Sequence, residues 1–126
     1  MSTIINTPNA PAPIGPYNQA VFAGNLLFVS GQIALDTQTG ELVMDDVVTE
    51  TNKVMNNIKA ILTAAGLDFS HIVKTSIFLK DMGDFAQVNE VYGSYFTGNF
   101  PARETIQVAA LPKNVNVEIS VTAYKA

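Results

Sequence analysis

The chain has no cysteine and a single histidine, His71, among 126 residues. Without thiols there can be no disulfide, no thiol nucleophile and no cysteine metal site. With one imidazole, a histidine-rich metal cluster or a Ser-His-Asp triad is hard to assemble. Charge is scarce too: 14% of residues are Asp, Glu, Lys or Arg, against an apolar fraction of 48%. The formal net charge is −4, and no basic block offers the clustered cationic face that nucleic-acid binding needs. No apolar run reaches membrane-spanning length. Met1-Ser2-Thr3-Ile4-Ile5-Asn6 has neither a basic stretch nor the apolar core of a secretion signal. A soluble, cytoplasmic protein without membrane or nucleic-acid partners is the expectation.

The length predicts one compact domain, residues 1–126. A domain this small cannot hide so large an apolar fraction in one core, so part of it is expected in the interface of a homo-oligomer.

Thr3 to Asn6 reads as a short strand. Asn9 to Pro16 carries three prolines and is rigid and non-helical; Tyr17 follows at once. Gln19–Ala23 and Leu26–Ser30 flank Gly24-Asn25, a hairpin turn signal. Asp45-Asp46 opens the strongest helical pattern, with Val47, Thr51, Val54, Met55, Ile58, Ile61, Leu62 and Ala65 at three- and four-residue spacing and Gly66 as the stop. The β-branched run Ile72–Lys80 predicts a strand. Asp84 is expected to cap a second helix through Tyr95. Glu104–Ala109 and Val115–Tyr124 then read as a closing hairpin joined by Leu111-Pro112-Lys113-Asn114. Strand, hairpin, helix, strand, helix, hairpin is the order of an α+β fold with both helices on one sheet face.

Arg103 is the only arginine. Its planar fork of donors fits a carboxylate at two points. In the two final segments the polar residues alternate, so Arg103, Thr105 and Gln107 share one face and Glu118 lies on the polar face of the last strand. If these strands pair, Arg103 and Glu118 share a surface, two to four residues apart, on the order of 7–14 Å between backbones. They could then hold a small anion between them. The plainer reading is a solvated face and a weak surface ion pair. Plain alternatives stand elsewhere too: Tyr17 as a partly buried loop anchor, Ser30-Gly31-Gln32 as a turn, His71 at the surface, Asn89 as a polar-face residue. Gly31 would equally let a ligand approach the backbone, with Ser30 donating a hydrogen bond.

Ala12-Pro13-Ile14-Gly15-Pro16-Tyr17, Val29-Ser30-Gly31-Gln32-Ile33, Ala64-Ala65-Gly66, Val73-Lys74-Thr75, Phe85 with Val88-Asn89, Phe100-Pro101-Ala102-Arg103, Leu111-Pro112-Lys113 and Val117-Glu118-Ile119 run in order over nearly the whole chain. Together they resemble the RidA (YjgF) family of reactive-intermediate deaminases. The resemblance implies a chorismate-mutase-like α+β fold, a mixed sheet with two helices on one face. It further implies a homotrimer with sites between subunits. The implied activity is hydrolysis of 2-imino acids, 2-iminopropanoate and 2-iminobutanoate, to 2-keto acids and ammonia. Carried onto this chain, Arg103 clamps the substrate carboxylate, Glu118 positions or deprotonates water, and Tyr17, Ser30, Gly31 and Asn89 line the cleft. Thr105 stands where relatives often carry cysteine and would be a substrate contact here. The loop Thr97-Gly98-Asn99 is shorter than in better-known members.

An imine carbon is already electrophilic, so this chemistry needs no cofactor, metal or covalent nucleophile, which suits a chain poor in cysteine and histidine. The alternative functions are a regulatory trimer that binds small carboxylates without turning them over, an endoribonuclease, and a chaperone-like trimer acting through apolar surface.

Overall fold

A computed structural model describes residues 3–126. The elements are β1 (Thr3–Ile5), β2 (Ala20–Ala23), β3 (Leu26–Gln32), α1 (Val47–Ala64), β4 (Ile72–Leu79), α2 (Phe85–Gly93), β5 (Ala102–Gln107) and β6 (Val117–Tyr124). The strands form one mixed sheet in the order β1-β2-β3-β6-β4-β5. Among the described strands only β4 and β5 run parallel, joined by the crossover through α2. The α+β expectation holds, and so do the first strand, the β2–β3 hairpin with Ala23 opposite Leu26 around Gly24-Asn25, and the long helix.

α1 forms where the apolar spacing demands it. The Asp46 carboxylate accepts the Thr49 N–H at its start. Gly66, with φ 77°, follows the end in the left-handed region that glycine enters without penalty. Its apolar stripe, Val54, Met55, Ile58, Ile61 and Leu62, is fully buried against Leu27 and Val29 of β3 and Val117, Ile119 and Val121 of β6. Tyr92 of α2 donates to the Thr75 hydroxyl on the same face of the sheet, so both helices cover one side.

Three expectations need correction. The last two strands do not pair: β4 lies between them, parallel to β5 and antiparallel to β6. α2 ends at Gly93, short of Tyr95. Asp84 makes no side-chain cap; Asp81 instead accepts from Gly83 N in the single helical turn that precedes α2. The first correction decides where the site lies. Residues directly opposite in register point to the same face, so Arg103, Thr75 and Val121 share the helix-covered side. Glu118, Phe78 and Ile106 share the other.

Two buried polar side chains pin the frame, and neither stands out in the sequence. The Gln19 amide nitrogen lies 2.8–3.1 Å from the carbonyls of Thr7, Ala10 and Pro11, while its oxygen accepts Thr7 N–H; this ties down the proline-rich strap. Glu50, fully buried in the first turn of α1, accepts from the backbone N–H groups of Asn116 and Val117 and from the Asn116 amide at 2.8–3.1 Å. It thereby fixes the entrance to β6, two residues before Glu118. Glu50→Ala strands these donors, each costing about 1–3 kcal/mol when left unmade. We therefore expect a loss of roughly 3 kcal/mol or more, read from urea unfolding.

Candidate active site

Two polar constellations stand on opposite faces of the sheet. On the helix-covered face, Arg103 enters from β5 beneath α2. Its Nη1 donates to Asn89 Oδ1 at 2.7 Å. Its guanidinium carbon lies 5.2 Å from the centre of the Tyr92 ring and 5.7 Å from that of Phe85. An amide and two rings therefore hold the fork in place. Among the described residues no carboxylate pairs with it. A half-buried, oriented arginine whose remaining donors meet no protein acid is suited to an external carboxylate. The sequence readings of Arg103 and Asn89 thus converge on one place.

On the open face, Glu118 lines a cleft of roughly 370 Å³ with Ile14, Tyr17, Ser30, Gly31, Ile33 and Pro112. Burial pushes its carboxyl above the ordinary glutamate value, with no opposing influence. The carboxyl reaches this position because β3 bulges: its register against β6 shifts between Val29 and Gln32, bracketing Ser30-Gly31. Gly31 is needed for space. A Cβ there would lie 2.8 Å from Cδ of Glu118 and collide with its Oε2. Gly31→Ala should displace the carboxyl by a fraction of an ångström to an ångström while leaving the sheet intact. Such misplacements cost on the order of 10²-fold in rate; steady-state kinetics with circular dichroism as the folding control will read it.

Other candidates are placed less simply. Tyr17 is 47% exposed, and its hydroxyl accepts Ile14 N–H at 3.3 Å, so the partly buried ring is tied to its own loop. The Ser30 hydroxyl already donates to the Asn18 carbonyl at 2.7 Å, so toward a ligand it offers lone pairs rather than the donor expected. Thr105 lies on the helix-covered face with Arg103, opposite Ile77, and its buried hydroxyl has no hydrogen-bond partner. It lines none of the clefts around Glu118. His71 takes the Asp68 N–H on Nδ1 at 3.0 Å, away from both constellations.

Arg103 and Glu118 therefore do not meet within one chain. Two strand spacings and three residues along the strand put their backbones roughly 14 Å apart, with side chains on opposite faces. The open face around Glu118 is apolar for a surface: Phe28, Ile106 and Tyr124 are 46–48% exposed.

Residues 7–125 match the family profile described as Endoribonuclease L-PSP. The chain is 52% identical over 125 residues to a RutC family protein of Pyrococcus horikoshii, covering 99% of each chain. It is 49% identical over 120 residues to the mouse 2-iminobutanoate/2-iminopropanoate deaminase, covering 95% of this chain and 89% of that one. The chain belongs to the RidA (YjgF) family. Its fold is that of the family as well: the E. coli TdcF structure with bound serine superposes at a TM-score of 0.94, with 43% identity over 98% of this chain and 99% of that one. RidA family members thus include proteins named for imine hydrolysis, and the family profile carries a ribonuclease name. No helix among the described residues is long and apolar enough to cross a membrane.

Proposed function

We propose that this single-domain protein is a 2-iminobutanoate/2-iminopropanoate deaminase of the cytoplasm, hydrolysing reactive 2-imino acids to 2-keto acids and ammonia. The observation that carries the reading is the pairing of resources: a held arginine without a protein acid, and a desolvated carboxyl in a separate cleft. Hydrolysis of an imino acid needs both, one to grip the carboxylate and one to manage water. Because they lie on opposite faces of one chain, the complete site forms between copies, Arg103 and Asn89 of one facing Glu118, Tyr17, Ser30 and Gly31 of another. The exposed apolar open face supports such an assembly, and a homotrimer with three equivalent clefts closes it.

In this reading Arg103 binds and orients the carboxylate. Glu118 removes a proton from water as its oxygen bonds to C2 and passes that proton to the imine nitrogen as the C=N π bond opens. The resulting tetrahedral carbinolamine, its new oxygen bonded to C2, is stabilised by the Tyr17 hydroxyl and backbone groups of the Ser30-Gly31 bulge. Glu118 then takes the hydroxyl proton and delivers it to nitrogen, C2 becomes the keto carbonyl as the C–N bond breaks, and ammonia and the 2-keto acid leave. Thr105, beside Arg103 on β5, acts on the carboxylate-binding side of the site.

The test is imine turnover. An amino-acid oxidase generates 2-iminopropanoate or 2-iminobutanoate, and semicarbazide traps the imine that survives. Faster loss of trappable imine with this protein but not with Arg103→Ala establishes the activity. Keto-acid binding without acceleration would replace it by the regulatory reading. The ribonuclease name of the family profile is met by a parallel assay; cleavage or a steeply salt-dependent RNA affinity would revive that reading against the acidic net charge.

A further inference from the structure

A second cavity lies at the other end of α2, away from Glu118, and the deaminase reading leaves it unused. Phe69, Tyr95 and Phe96 form its walls, and Asp68, Ser70 and the short loop Thr97-Gly98-Asn99 form its rim, around roughly 330 Å³. The rings are not stacked. Phe69 meets Tyr95 at 53° with centroids 5.2 Å apart, and Phe96 at 68° with centroids 5.9 Å apart. The three rings pack on one another as a tilted cluster, and that cluster lines the apolar side of the space. Tyr95 directs its hydroxyl to Asn52 Oδ1 at 2.7 Å, a residue outside the cavity lining. The chain needs these rings only in part for its core, since all three remain half-buried.

The polar rim has one sign. Asp68 is the only charged residue lining the cavity. One of its oxygens, Oδ1, takes the amide and hydroxyl of Ser70, which leaves the second without a bond from that turn. The Ser70 contacts also hold this carboxyl below the usual range and so keep it ionised. His71 Nδ1 accepts Asp68 N–H at 3.0 Å and lies 3.2 Å from Oδ1, the oxygen already turned to Ser70. Aromatic faces carry negative quadrupole potential and attract cations, and more strongly where water is excluded. A cavity lined by three rings with one carboxylate at its rim complements a compact positive charge with an apolar coat. It complements an anion poorly, and an uncharged apolar group would gain nothing from the carboxylate.

We propose that the Phe69–Tyr95–Phe96 cavity binds a small free organic ammonium ion, with Asp68 as its counter-charge. The site is independent of the deaminase reading and does not share its residues.

Choline titrated into the full chain in its native assembly, followed by amide NMR, is the direct test. The reference ligand is its uncharged carbon isostere, with tert-butyl in place of trimethylammonium. The proposal expects saturable choline shifts centred on Phe69, Phe96, Gly98 and Asn99, and affinity roughly 2- to 30-fold above that of the isostere. Asp68→Asn, which retains an acceptor for Ser70, should weaken choline and leave the isostere unchanged. Because the readout is binding, failure of imine turnover has no bearing on it. Equal affinity for both ligands, no saturable shift, or shifts centred on Arg103 or Tyr17 would each overturn it.

Discussion

Glu118→Gln should lower imine hydrolysis by about 10²- to 10⁴-fold, the usual contribution of a positioned general base. The glutamine fills the same space beside Gly31 but cannot take a proton from water, so the loss should fall on kcat more than on KM. In the unsubstituted protein the same carboxyl sets the acid limb of the rate profile. Burial raises its pKa above the ordinary value of 4.5, so activity should fall with decreasing pH at a higher pH than an exposed glutamate would dictate. The same shift predicts a change in stability of opposite sense. A carboxyl whose pKa is higher folded than unfolded binds its proton more tightly in the native state. Its contribution therefore declines as pH rises from the ordinary glutamate range through the raised value. At neutral pH the charged, desolvated group is a burden, and Glu118→Gln should melt at a higher temperature than the parent protein. A variant that is inactive yet more stable would separate a catalytic carboxylate from a structural one. Unchanged activity in that variant would remove Glu118 from the chemistry.

Arg103→Lys is the second large effect. Lysine keeps the charge but presents one compact ammonium instead of a planar fork. The Asn89 contact and the placement of the guanidinium by Tyr92 and Phe85 all depend on the fork. Losing one partner of a desolvated, hydrogen-bonded charge pair costs about 2–5 kcal/mol, or roughly 30-fold to more than 10³-fold in kcat/KM. Saturation kinetics on freshly generated 2-iminobutanoate should show the larger part in KM, since the clamp grips substrate and transition state alike. Size-exclusion chromatography should show an unchanged assembly. Parent-like activity in the lysine variant would contradict a two-point clamp.

The long helix was legible because a stripe spanning Val54 to Leu62 repeats one period often enough to exclude a strand, and because Asp46 and Gly66 mark its ends. The β2–β3 hairpin was legible because its turn and both arms are contiguous. Arg103 stood out as the sole permanently charged fork, and the ordered segments from Ala12 to Glu118 carried the family resemblance. The second helix was bounded less well. Asp84 is a good cap by type, yet the Met82–Asp84 turn before it recruits Asp81 instead. Gln19 and Glu50 were missed: a buried polar residue has no periodic signature, and what makes each one matter is a backbone far away in sequence.

The sequence by itself determined the elements, their amphipathic faces and the residue types available for chemistry, because these depend on local backbone preference and on spacing within a segment. Only the tertiary structure decided which strands are neighbours. Alternation reports which residues of a strand share a face with one another, but pairing is a non-local choice, and inserting one strand between two others changes which surfaces meet. β4 between β5 and β6 is that insertion, and it sets Arg103 and Glu118 on opposite sides of the sheet instead of side by side.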